Sequence, residues 1–476
     1  MAHYPEWVLK HKRKGTEIRK INNAFYLYEI TSRWNKEKKR PVKITKGLVG
    51  RISEEGLVQS KSRRLAEGSR HITIKEFGAF HYVWEQSQDL VQELKQYFPD
   101  WWKELWLAAY FRLMHQSPLK HFDLHYQTTF ASEILKSARL HDKAITAWLR
   151  EIGMQRERIT GFLKCFLKGH ELILMDATHV ISLSEGVHDS QLGYNSQRQF
   201  DPQVNLLFIY AADKKLPVYY RLLPGNIREI KALKLTIQES GLDQAIVVTD
   251  KGFYSRANLR SLEAAQLRYL IPLRRNSKLI DYRPISVAAK QGFDGYFRFQ
   301  DRIIWHHYRH PVWLFLDEEL KNMEQHDYLR RVENQRSFYT MEKFHNKNHE
   351  FGTIAVISNV SEVSAQKIFE FLKSRMAVEV MLDAYKNILD ADRTYMRGNC
   401  EMEAWTFINY LALLFYYRIY QSLLEKDILK KYGPKDFLLY LSHIKKVRIL
   451  NEWRDAECPN KLQIFARKID LNLPIT

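Results

Sequence analysis

The spacing of apolar and polar residues changes several times along the chain, and each change marks a candidate boundary. Residues 24–52 read as an aromatic strand (AFYLYEI), a turn loaded with charge (RWNKEKKRP) and a second strand (VKITKGLVGRI), which together predict a β-hairpin. From about 76 to 168 apolar residues recur at helical spacing, as in SQDLVQELKQYF and TAWLREIGMQRERITGFLKCFL. The pattern then turns to strands: ELILMDATHVISL (171–183), VNLLFIYAA (204–212) and LPVYYRLL (216–223), the last two joined by Asp213-Lys214-Lys215. A helical stretch (REIKALKLTIQES), a buried strand (AIVVTD, 245–250), another helix (RANLRSLEAAQ) and a fifth strand (RYLIPLR) follow.

The order β-β-β-α-β-α-β predicts an α/β fold built on a ribonuclease-H-like mixed sheet. Residues 276 to about 360 interrupt it with short strands (YFRFQ, RIIWHHY, VWLFL, GTIAVIS) around a charged helical stretch near 318–349, so a β-rich insertion is expected. A strong helix is predicted at 364–389, with Ser364 as N-cap, and helical segments such as WTFINYLALLFYYRIYQSLL close the chain. The expected organisation is a basic N-terminal β-hairpin domain (1–75), a helical domain (76–168), the sheet core (169–275 and 361–425), the insertion (276–360) and a C-terminal helical region (426–476).

At 476 residues the chain exceeds one ordinary core, and its 45% hydrophobic and 27% charged content excludes wholesale disorder. Charge changes the picture more. Lys and Arg number 74 against 55 Asp and Glu, a net +19 that points to a polyanion: nucleic acid first, an anionic membrane surface second. Residues 1–75 hold 19 Lys and Arg against 7 Glu, so +12 sits there, and Lys38, Lys39, Arg40 and Lys43 of the hairpin are candidates for phosphate contact. The cysteines, Cys165, Cys400 and Cys458, are too scattered for a C-x-x-C zinc or redox pair or a disulfide framework, as expected in a reducing compartment. The N-terminus has no apolar signal region, and the longest apolar stretch, Tyr410 to Tyr417, is far below the roughly 20 residues of a spanning helix; a soluble, cytoplasmic protein is expected.

Candidate chemistry centres on carboxylates. Asp176 lies inside the first core strand among Leu172, Ile173, Leu174 and Met175, where a carboxylate is costly unless paired or metal-bound. Asp250 ends the fourth strand, which in this order neighbours the first. On the helix from 364, Arg375, Glu379 and Lys386 fall within about 40° of one another, a carboxylate between two cations. Each feature alone has a plainer reading, a turn cap or a solvated i,i+4 pair. His306, His307 and His310 lack a Cys or carboxylate at ligand spacing and do not read as a zinc site.

Asp176 in MDATHV, Asp250 in TDKGFY and Arg375-x3-Glu379-x6-Lys386, taken together, resemble the DDE transposases of bacterial insertion sequences over roughly 170–425. The chain looks like the cut-and-paste group with a β-strand insertion between the second Asp and the Glu, which the 129 residues from Asp250 to Glu379 accommodate. It departs from that group's Tyr-Arg-Glu-Lys signature at Leu372, the Tyr position, and at Met376, often Trp. The resemblance implies Asp176, Asp250 and Glu379 as ligands of two Mg²⁺ ions, with Mn²⁺ able to substitute, and Arg375 and Lys386 as phosphate contacts. It also implies Phe351, with Trp305 and Trp313 as alternatives, as an aromatic that could hold a flipped base, and Thr178, His179, Lys251 and Tyr254 as groups orienting the aspartates. The implied partners are transposon terminal inverted repeats and target DNA, bound by a homodimer in the bacterial cytoplasm at the nucleoid, with no membrane. Two other readings stay open: a catalytically impaired or repurposed copy that grips DNA ends, and a structure-specific nuclease on the same core.

Overall fold

The structure, a computed structural model, describes residues 4–468 apart from 36–38, 62, 64–71, 195–199, 228, 288–289, 335–337 and 450. Two compact units form: Met1–Phe80 with Gln127–Phe130 and Leu439–Thr476, and His81–Tyr126 with Ala131–Leu438.

The first unit opens with an antiparallel sheet of β1 (Thr16–Ile21), β2 (Ala24–Asn35), β3 (Arg40–Ser53) and β4 (Gly56–Gln59) in sequential order. Asn22 and Asn23 both take positive φ in the two-residue β1–β2 turn, a conformation asparagine tolerates better than most residues. Val8, Ile18, Leu27 and Ile52 make its small core, with Trp7 and Phe25 packed against them. The β2–β3 pairing runs outward to Asn35↔Arg40, whereas β1 stops pairing at Thr16↔Glu29 and β4 at Gly50↔Gln59. From Ile30↔Thr45 outward the sheet is therefore, among the described residues, a two-stranded ribbon. β5 (Thr73–Glu76) follows.

In the second unit, α1 (Trp102–His115) and α2 (Arg156–Leu167) precede the sheet. The expected core strands appear as β6 (Leu172–Ser182), β8 (Phe200–Ala211), β9 (Leu216–Pro224), β10 (Ile246–Val248) and β11 (Arg268–Pro272), with the short β7 (Gln191–Tyr194) added. Their order β9-β8-β6-β10-β11, with β6, β10 and β11 parallel and β8 antiparallel to both neighbours, is the ribonuclease-H-like mixed sheet. α3 (Glu229–Ser240) and α4 (Arg256–Ala264) are the crossovers that bring β10 and β11 into parallel alignment.

The insertion strands β12 (Gly295–Phe299), β13 (Arg302–Arg309), β14 (Val312–Asp317) and β15 (Thr353–Ser358) do not make a sheet of their own. β15 pairs with β11 through Leu270↔Ser358, and β14, β13 and β12 continue outward, giving an 11-stranded sheet among the described residues. The eleventh, β16 (Arg393–Thr394), pairs with the far end of β6.

The helix expected over 364–389 is articulated: α5 (Ala365–Ser374), capped by Ser364, then α6 (Met376–Asp383), then a π-helical turn over Ala384–Ile388. Arg375 is the single residue between α5 and α6. α7 (Asn399–Glu425) is apolar nearly all round and correspondingly buried, with Trp106 of α1 against Phe415 and the Tyr410 hydroxyl donating to the Pro217 carbonyl of β9. Its apolar length does not make it a span: among the described residues no helix is long and apolar enough to cross a membrane. Beyond it, the C-terminal region contains two strands, β17 (Lys445–Ile449) and β18 (Glu452–Asp455), and β17 pairs back onto β5 in the first unit.

Candidate active site

Parallel register sets the first pair of carboxylates. Val248 of β10 lies opposite Leu174 of β6, so two residues further on Asp250, just past the end of β10, stands level with Asp176 inside β6. Asp250 ends its strand because the chain turns there: the Phe253 N–H donates to its carbonyl and Lys251–Phe253 forms a 3₁₀ turn. Asp176 remains within β6, opposite Phe208, and its Oδ1 accepts from the Ala177 N–H at 2.8 Å.

Arg375 supplies the third element. One guanidinium nitrogen lies 3.3 Å from Asp250 Oδ1 and another 2.6 Å from Glu379 Oε1, so the fork joins the strand-end carboxylate to the helix carboxylate. The articulation between α5 and α6 places it there. Asp176 shares this field: burial pushes its carboxyl up to about 6, the Ala177 N–H and Arg375 oppose that rise, and Asp250 and Glu379 add to it. Burial lowers Lys386 from the usual lysine range, against the pull of Asp392, Asp176 and Asp383. His179 is lowered by burial and then by Lys386.

Two residues that the sequence patterns did not single out hold the turn carrying Lys386. Arg112, buried at the end of α1, donates to the carbonyls of Leu389 and Asp390 and, at 3.0 Å, to Asn409 Oδ1 of α7. Gln116 Nε2 donates to the Ile388 carbonyl at 2.5 Å. These carbonyls lie at the turn's C-terminal end, where helix carbonyls run out of internal donors. The available signal was a lone arginine inside the apolar run LWLAAYFRLM.

The remaining sequence candidates divide by exposure. Thr178, on the Asp176 face of β6, is buried, and its hydroxyl has no hydrogen-bond partner among the described residues. Lys251 and Tyr254 line a cleft of about 340 Å³ beside Asp250, together with Arg274 and Asn276. Phe351 is 7% exposed and packs against Tyr328 and Phe344, and Trp313 is 8% exposed against Tyr308 and Phe315. Stacking a base on either would require opening those clusters. Trp305 is half-buried beside Tyr296, its cross-strand partner, which is 62% exposed. Leu372 is buried, whereas Met376 is exposed. In the first unit Lys39 and Arg40 are exposed, Lys43 pairs with Glu17 at 2.8 Å, and Lys38 lies outside the described residues.

The donor chemistry at the centre suits a hard divalent cation: three carboxylates and no thiolate. Yet among the described residues no three His, Cys, Asp or Glu side chains converge closely enough to hold an ion. Arg375 stands between Asp250 and Glu379 as their counter-charge.

A ribonuclease-H-like sheet with one acidic residue within β6, a second just past the end of the adjacent parallel β10, and a third on the helix after the insertion, defines the class of protein. The family model described as the transposase DDE domain matches residues 167–415, and the chain belongs to that family. No curated protein matches the chain. Among solved structures it is similar to the piggyBac transposase synaptic complex with hairpin DNA, determined by cryo-EM, at 12% identity over 71% of this chain and 69% of that one, with a TM-score of 0.39.

Proposed function

We propose that this DDE transposase serves a bacterial insertion sequence, binding its terminal inverted repeats and carrying out strand cleavage and strand transfer at Asp176, Asp250 and Glu379. The observation that carries the proposal is the Arg375 fork, which gathers Asp250 and Glu379 beside a buried Asp176. With Arg375 withdrawn from between Asp250 and Glu379, the three carboxylates would be drawn together as the ligands of Mg²⁺, or of Mn²⁺ in its place. Bound there, such ions would supply Lewis-acid activation of the attacking oxygen and stabilisation of the leaving 3′ oxygen.

The reaction is an in-line displacement at phosphorus. Water attacks first, the P–O3′ bond at the element's end breaks, and the freed 3′-OH then attacks a second phosphodiester, expelling its 3′ oxygen. The chain's own contribution is charge and position. Released from the carboxylates, Arg375 can fork onto a phosphate, and Lys386 is a point charge on the same side. Two copies acting on paired ends would form the homodimer.

The test is cleavage of duplexes ending in the repeats that flank the gene, with Mg²⁺, by the wild type and by Asp250→Ala. Cleavage by the wild type alone is expected; equal cleavage by both sinks the assignment. A second reading, an end-binding protein with impaired chemistry, draws on the acidic centre being filled by Arg375. Efficient strand transfer with Mg²⁺ or Mn²⁺ eliminates it.

A further inference from the structure

We infer that one face of the β2–β3 ribbon reads base edges in the major groove of duplex DNA, an inference that rests on the proposed end-binding role. Beyond Ile30↔Thr45 the ribbon has no third strand among the described residues, and Arg33, Trp34, Arg40, Lys43 and Ile44 are all exposed. Neither face is covered by the Val8–Ile18–Leu27–Ile52 core. A two-stranded ribbon is marginal in water by itself, so its extension beyond the core calls for an occupant. The six pairs from Ile30↔Thr45 to Asn35↔Arg40 span roughly 20 Å, and a B-form major groove about 12 Å wide admits such a ribbon.

Register separates the two faces. Thr31↔Ile44, Arg33↔Val42 and Asn35↔Arg40 share one, and Ile30↔Thr45, Ser32↔Lys43 and Trp34↔Pro41 share the other. The second face is engaged within the sheet: Lys43 Nζ meets Glu17 at 2.8 Å, and Arg19 donates to Thr45 Oγ1 at 2.6 Å. On the first face the side chains of Arg33 and Arg40 make no ion pair or hydrogen bond among the described residues, so both guanidinium forks are available. Arginine is the side chain whose fork matches guanine O6 and N7. The exposed Lys39 at the ribbon's tip, and Lys46 at its base within 4.0 Å of Glu29, add positive charge for the phosphate walls.

The experiment uses the full chain, in EDTA, on a pool of random-sequence duplexes. The enriched duplex is then compared with a scrambled one. Arg33→Lys and Arg40→Lys keep the charge but lose the fork: affinity for the scrambled duplex should stay near the wild-type value while the preference for the enriched duplex falls at least about tenfold. Methylating guanine N7 in the enriched duplex should abolish the wild-type preference. If both variants keep the wild-type ratio, the ribbon touches phosphate only and the inference is overturned, although end binding stands. A wild type without any sequence preference overturns it as well. Because the measurement needs no metal, failed cleavage, which bears on the catalytic reading, leaves it readable.

Discussion

Asp176 is costly to the fold, and that cost is measurable. Its carboxyl is pushed up to about 6, mainly by burial, from an unfolded value of 3.8, so the folded state favours the neutral form. A raised carboxyl destabilises as pH climbs through its folded value and costs nothing below its unfolded one. Asp176→Asn should therefore abolish cleavage yet raise stability near pH 7.5 by up to about 3 kcal/mol, with no gain near pH 3.5. Scanning calorimetry at the two pH values checks this; a gain independent of pH would remove burial as the cause. Arg375 gives the complementary case. Replacing it with Gln removes the counter-charge from Asp250 and Glu379, so Mn²⁺ should bind several-fold tighter by calorimetry while cleavage falls by about 10²-fold. Unchanged Mn²⁺ affinity would mean the fork does not compete with the ion. The Asp176, Asp250, Arg375 and Glu379 grouping was legible in the sequence because Asp176 is a carboxylate inside an apolar strand, Asp250 follows the end of another, and Arg375 and Glu379 stand at helical spacing. Arg112 and Gln116 were not, since their partners lie more than 270 residues away.

Elements were legible where their signal is local. The strand and helix order of the core could be read from period and punctuation, but the sheet partner of the insertion could not: β15 meets β11 across about 80 residues, and nothing in either strand names the other. The articulation at Arg375 escaped for a different reason, because one residue between two helices leaves the apolar period intact. What holds these elements together is partly ionic. Arg156 of α2 reaches Glu239 of α3 at 2.5 Å and Glu403 of α7 at 2.8 Å, while Tyr219 and Tyr220 of β9 donate to those same carboxylates. Arg156→Met leaves two half-buried carboxylates without their main counter-charge and should cost about 3–5 kcal/mol in chemical denaturation. A loss below about 1 kcal/mol would show that Arg221, 2.6 Å from Glu239, compensates.

At the scale of the whole molecule, the charge excess divides by region. With +12 of +19 in residues 1–75, DNA affinity should fall steeply with salt, and the slope should lose about 0.9 for each phosphate contact removed. Point variants at Lys39 and Lys46, titrated against salt, test this; a slope equal to wild type would place the phosphate contacts elsewhere. Removing residues 1–75 is a poor substitute, because β5 would leave the sheet it shares with β17. The same reasoning applies with more force to the insertion. Its strands are hydrogen-bonded onto the sheet that bears Asp250, so excising 276–360 would strip β11 of its neighbour and bare an apolar edge at Leu270 and Ile271. The insertion is thus not a cassette to be swapped between relatives but the outer four strands of one continuous surface, and a chain shortened there should precipitate rather than simply lose specificity.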